Sequence, residues 1–237
     1  MKVLIFSVSI GAGHDSVAKA VAQEIKERSP ESEILIVDTF KYINPFLNKV
    51  VVGSYMETLR FIPKVWGYLY SQAEEAEKIV DLGHIFSNLL SPKMEKLLQN
   101  FNPDVLVCSH AFPAGILSAL KEKRKLNIPL VVCITDFTVH SFWMQPHVDQ
   151  YIIPHEDLVY PFIKGKIPLS KLKCLGIPIR KQFLNPPAKK DIRDLLGLRD
   201  EITILVMGGG LGLGSIKDIT VKLLKDSNLQ ILVVAGK

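Results

Sequence analysis

The sequence predicts an α/β protein whose first domain is doubly wound and Rossmann-like, followed by the start of a second such domain. Three observations predict it. The chain opens on a short apolar run, Val3 to Ser9, that leads through Gly11 and Gly13 into a helical pattern. Short runs rich in β-branched residues then alternate with helical segments for about 170 residues, the pattern of a parallel sheet with crossover helices. Near residue 202 the opening pattern of strand, glycine loop and helix begins again.

The first run reads as a parallel strand buried on both faces, because it is apolar without alternation. After the glycines, Val17, Val21 and Ile25 recur every fourth residue, with Ala18 and Ala22 beside them, which makes one apolar helix face. The turn between strand and helix lies at the carboxyl end of a parallel strand, where open α/β sheets bind ligands. His14 stands at the helix entrance. An imidazole at a helix N-terminus tends to stay neutral and can act as a base, or it can simply cap the helix. The loop is not a dinucleotide fingerprint, since Ser16 occupies the position of the third glycine.

Ile34 to Asp38 is the second strand, and Asn44-Pro45 is a helix start with its N-cap and first-turn proline. From Phe46 to Tyr70 the chain is dense in apolar and aromatic residues, Phe46, Tyr55 and Trp66 among them, with Lys49, Arg60 and Lys64 interspersed. This exceeds one stripe of a surface helix. A helical hairpin docked on the sheet and a membrane-facing acceptor groove both account for it, and the two are compatible. Ser91-Pro92 caps a helix to Phe101, and Asn102-Pro103 introduces a strand from Asp104 to Ser109. His110 follows, then a helix from Pro113 to Lys125 and a strand from Pro129 to Thr135. Gln150 to Pro154 and Lys173 to Leu175 complete about six strands. His110, Asp136, His140 and Trp143 all follow strands that end on the face where His14 lies, so they gather into one candidate cluster.

Asn185-Pro186-Pro187 reads as linker, followed by a basic helix from Lys189 to Leu196. The first domain is thus expected over residues 1–183 and the second from 184 to 237. In the second, Ile202 to Met207 runs into Gly208-Gly209-Gly210-Leu-Gly212-Leu-Gly214, whose bare backbone N–H groups suit a phosphate. Asp226 to Ala235 carries a last strand before Gly236-Lys237. Two strands and two helices do not bury a full sheet, so the second domain is expected to be truncated, with an exposed edge that could recruit a second copy in a homo-oligomer.

Of the 237 residues, 48% are hydrophobic and 22% charged, ordinary values for a globular protein. The net charge of +5 and a pI near 9.0 favour an anionic partner. The basic residues are scattered apart from Lys121-Glu-Lys-Arg-Lys125, which argues against nucleic acid. Cys108, Cys133 and Cys174 lack C-x-x-C spacing and read as buried free thiols in a reducing compartment. No apolar run reaches the ~18 residues of a membrane span, and the expected location is cytoplasmic.

Four segments carry a resemblance. Ser9-Ile-Gly11-Ala-Gly13-His14-Asp-Ser-Val-Ala18, Thr135-Asp136-Phe137-Thr-Val-His140-Ser-Phe-Trp143, Leu175-Gly176-Ile177-Pro178-Ile179 and Met207-Gly208-Gly209-Gly210-Leu-Gly212 resemble, in order, signatures of the monogalactosyldiacylglycerol synthase and processive diacylglycerol glucosyltransferase family. The resemblance implies a two-domain glycosyltransferase B fold. It implies an inverting enzyme that moves a hexosyl group from UDP-glucose or UDP-galactose to diacylglycerol at the inner face of the cell membrane, on an anionic surface, with no obligatory metal and no cofactor. His14 and Asp136 are then the catalytic candidates. His110, His140, Trp143, Phe46, Tyr55 and Trp66 would meet the acceptor lipid. Gly11, Gly13, Gly208, Gly209, Gly210, Gly212 and Lys237 would serve the donor. Family members continue past the Gly-Lys pair with a segment that grips the nucleotide, so this chain alone is expected to have little activity. Two other readings stand beside this one: a related transferase with a polyprenyl-linked acceptor, and a non-catalytic lipid- or nucleotide-binding module.

Overall fold

The computed structural model describes residues 1–9, 12–43, 92–124, 126–208, 214–225 and 228–234. The apolar stretch 46–70, with Phe46, Tyr55 and Trp66, lies outside the described residues, as do Gly11, Gly209, Gly210, Gly212 and Lys237. Two compact units are present, one made of Met1–Ile10 and His14–Arg180, the other carrying Lys181–Lys237.

In the first unit, β1 (Lys2–Ser7) is followed by α1 (Ala12–Arg28), β2 (Glu33–Asp38) and α2 (Thr39–Ile43). A helix over 92–101, α3, precedes β3 (Val105–Cys108), α4 (Ala111–Arg124) and β4 (Leu130–Cys133). A 3₁₀ turn at Ser141–Trp143 leads to β5 (Gln150–Ile153), and α5 (Val159–Lys164) to β6 (Leu172–Cys174). The six strands form one sheet in the order β2-β1-β3-β4-β5-β6, and every neighbouring pair is parallel. From β1 the chain steps outward to β2, then returns to β1's other side and runs on through β3 to β6. The order therefore reverses between β1 and β3, which is the topological switch point of a doubly wound sheet.

Side-chain alternation along the strands divides the core into two layers. Val3 and Ile5 of β1, Val107 and Cys133 pack with Val17 and Ala18 of α1, and Val21, Ala22 and Ile25 flank them. That is the helix face the four-residue recurrence predicts. On the other face Leu4, Phe6, Leu106, Cys108 and Val132 pack with Met94, Leu97 and Leu98 of α3 and with Ala114, Leu117 and Leu120 of α4. α3 stops where Asn102 adopts a φ of 50°, and the Asn102 N–H donates to Leu98 O at 2.8 Å. Asparagine is one of the few residues that tolerate this left-handed ending.

Two expectations change. α4 begins at Ala111 rather than Pro113, because the His110 side chain caps it and Pro113 falls in the first turn, where no N–H is required. Cys174 is exposed, not buried, because β6 is an edge strand with only its first residue covered.

The second unit carries α6 (Lys189–Leu195), β7 (Thr203–Met207), α7 (Ile216–Leu223) and β8 (Gln230–Val234). β7 and β8 pair in parallel, Thr203 opposite Gln230 through Met207 opposite Val234. This is a second parallel strand–helix–strand unit. Leu205, Met207, Val233 and Val234 of this pair are exposed. Among the described residues no helix is long and apolar enough to cross a membrane.

Candidate functional site

The site sits at the carboxyl ends of β1, β3 and β4, at the reversal of strand order. Each strand delivers part of it. His14 lies in the first turn of α1, Ser109 and His110 follow β3, and Thr135 and Asp136 lie just beyond β4. The loop beyond folds back through His140 to the 3₁₀ turn that holds Trp143.

His14 Nδ1 lies 2.7 Å from the backbone carbonyl of Ser109 and 3.1 Å from Thr135 Oγ1. A carbonyl only accepts, so Nδ1 carries a proton, and in the neutral ring Nε2 is the nitrogen that holds the lone pair. The sequence separation of 95 residues between these partners is closed by the β1–β3 pairing. The start of α1 is tied to the end of β1 by Asp15, whose two carboxylate oxygens accept from Ser7 Oγ at 2.6 Å and Ser9 Oγ at 2.8 Å. Hydrogen bonds to a charged acceptor are the stronger kind, so this clasp holds the first turn of α1 against the end of β1.

The His14 and His110 rings meet edge to face with centroids 4.5 Å apart. His110 Nδ1 accepts the Phe112 N–H at 3.0 Å, which makes it the cap of α4. Burial first, then the neighbouring His14 and His140 imidazoles, push the His110 pKa down to about 3. Burial also lowers His140, against the pull of the Asp136 carboxylate. Trp143 is buried, and its indole N–H donates to Asp136 Oδ2 at 3.0 Å. Its ring centroid is 6.3 Å from that of His110 and 6.0 Å from that of His140.

His14, His110, Asp136, His140 and Trp143 are therefore brought together. Gly13 is exposed in the first turn of α1 with open space where a Cβ would stand. Gly208 follows β7 in the second unit. Sequence reasoning passed over Ser109, Thr135 and Asp15 as working parts. Thr135 stands in a segment already singled out, but Ser109 acts through its backbone carbonyl, which leaves no mark on residue type. Among the described residues no group of three or more His, Cys, Asp or Glu side chains is placed to hold a metal ion.

A doubly wound parallel sheet with its polar cluster at the switch point is a Rossmann-like domain, and its fold is that of glycosyltransferases of the B type. Solved structures share this fold: Anabaena Alr3699/HepE in complex with UDP and glucose, with a TM-score of 0.56, 10% identity and coverage of 100% of this chain and 70% of that one. The lipopolysaccharide outer core galactosyltransferase WaaB, apo form, gives a TM-score of 0.52, 13% identity and coverage of 98% and 60%. The chain belongs to the monogalactosyldiacylglycerol (MGDG) synthase family, whose model matches residues 14–179. It is 28% identical over 242 residues to a processive diacylglycerol beta-glucosyltransferase of Bacillus mycoides strain KBAB4, a match covering 100% of this chain and 60% of that relative. The chain thus spans 60% of the length of the curated relative it matches.

Proposed function

We propose that the protein containing this chain is an inverting glycosyltransferase that moves a hexosyl group from a UDP-sugar to the free hydroxyl of diacylglycerol. The observation that carries the reading is the state of His14. Its Nδ1–H is committed to the Ser109 carbonyl, so Nε2 stands as a base at the switch point of the sheet. In a single displacement the acceptor oxygen bonds to the anomeric carbon as the bond to the diphosphate oxygen breaks. The electron pair leaves with UDP, and the hydroxyl proton passes to His14 Nε2.

Residues 1–183 serve the acceptor in this reading, with Asp136, His110, His140 and Trp143 lining its side and residues 46–70 meeting the membrane. Asp136 holds the Trp143 indole and also faces His140, whose imidazolium it favours. The segment 184–237, with Gly208 to Gly212, serves the donor together with Gly11, Gly13 and Lys237. The name of the Bacillus relatives supports diacylglycerol as acceptor and glucose as the sugar. The net charge of +5 supports action at an anionic membrane surface.

The test is labelled-sugar transfer from UDP-glucose and UDP-galactose to diacylglycerol in anionic liposomes, with the full polypeptide that contains this chain. The substitution His14→Ala is expected to lower the rate by about 10²-fold or more. A wild-type rate in His14→Ala refutes the base. Liposome binding without transfer from either donor refutes the transferase and favours a binding module.

A further inference from the structure

His14 and His110 touch, yet the backbone commits them to opposite tautomers. The Ser109 carbonyl forces the proton of His14 onto Nδ1. The Phe112 N–H points at His110 Nδ1 and forces its proton onto Nε2. Among the described residues neither Nε2 has a hydrogen-bond partner. The adjacent rings, edge to face with 4.5 Å between centroids, therefore offer one lone pair and one N–H at the switch point. An alcohol is the complementary group, since its oxygen donates one hydrogen bond and accepts another.

We propose that His14 and His110 bind the acceptor hydroxyl as a pair, His14 Nε2 accepting its proton and His110 Nε2–H donating to its oxygen. This rests on the transferase reading and adds a substrate contact to it. As the oxygen bonds to the anomeric carbon, its proton moves to His14 Nε2. The His110 N–H stays in place and offsets the negative charge that gathers on the oxygen before the new bond is complete. His110 loses no proton in the step. The pairing selects a hydroxyl over an ether or ester at the same place, because neither of those can donate to His14.

Two substitutions separate this role from capping. His110→Asn keeps an acceptor near Nδ1 for the Phe112 N–H and removes the distal donor. His110→Gln keeps a donor near Nε2 and removes the cap. Sugar transfer to dioctanoylglycerol by the full polypeptide is expected to fall roughly ten-fold in kcat/KM in His110→Asn, the scale of one lost hydrogen bond. His110→Gln is expected to recover most of that loss. A wild-type rate in His110→Asn overturns the proposal, and so does a His110→Gln variant that falls as far as His110→Asn. Nitrogen-15 spectra of this chain read the pair without catalysis. The expected pattern is a protonated Nδ1 on His14, a protonated Nε2 on His110, and a shift of both Nε2 signals on addition of dioctanoylglycerol micelles. Two like tautomers, or no shift, overturn the pairing even if transfer is observed. Absence of transfer with the shifts present overturns the transferase reading and leaves the hydroxyl site standing.

Discussion

Trp143 is the wedge of the site, and its bond to Asp136 can be weighed. The side chain is 1% exposed, and its one polar atom donates to Asp136 Oδ2 at 3.0 Å. Asp136→Ala leaves that indole N–H buried without this acceptor, which costs about 1–2 kcal/mol. Trp143→Phe removes the N–H and shrinks the ring, for a total of about 2–3 kcal/mol from the lost bond and the looser packing. In the Trp143→Phe background the indole N–H is gone and His140 is uncharged at pH 7, so Asp136→Ala should then cost under about 0.5 kcal/mol. The cycle therefore carries a coupling energy of about 1–1.5 kcal/mol. Urea unfolding of the four proteins at pH 7, followed by far-UV circular dichroism, measures it. If Asp136→Ala costs the same in both backgrounds, the bond does not hold this loop and Asp136 is free for another task.

Acid should weaken the fold through His110. Its folded pKa of about 3 lies below the ordinary 6.5, so the unfolded chain takes up the proton first as pH falls. The stability this group contributes is complete above pH 6.5 and is lost progressively down to about pH 3. Between pH 7 and pH 5 the wild type is expected to lose about 1–2 kcal/mol more than His110→Asn, read from urea midpoints. The lowered carboxylates Asp38 and Asp149 act below this window and leave it clear. Equal losses in the two proteins refute the buried neutral imidazole. Thiol labelling gives a second measurement: burial pushes Cys133 up to about 12 and Cys108 well above its ordinary value, while Cys174 is exposed. Native protein should react at Cys174 alone, and at all three in urea.

Much of the first unit was legible because each strand is a short apolar run closed by a turn residue, and each helix repeats its apolar residues every three or four positions. Periodicity also predicted which face of α1 meets the sheet. Boundaries were harder to read at α4, where a histidine caps the helix in place of the usual serine, threonine, aspartate or asparagine. Cys174 was misread because position in a sheet, edge or centre, depends on strand order and not on the strand's own residues.

The candidate site was half visible for a related reason. Residue type shows which side chains can carry a proton, so His14 and His110 stand out in the sequence. Which nitrogen carries it is decided by partners that have no type. One is the carbonyl of Ser109, brought to His14 by the pairing of β1 with β3, and the other is the amide of Phe112, placed at His110 by the start of α4. The reversal of strand order between β1 and β3 thus does more than open a crevice. It sets two imidazoles against each other under opposite backbone constraints, so that one is left to accept and the other to donate. Any fold that brought the same residues together without those two backbone groups would leave both tautomers to chance. A substitution that shifts the α1 or α4 terminus should therefore scramble the pair as surely as one that removes a histidine.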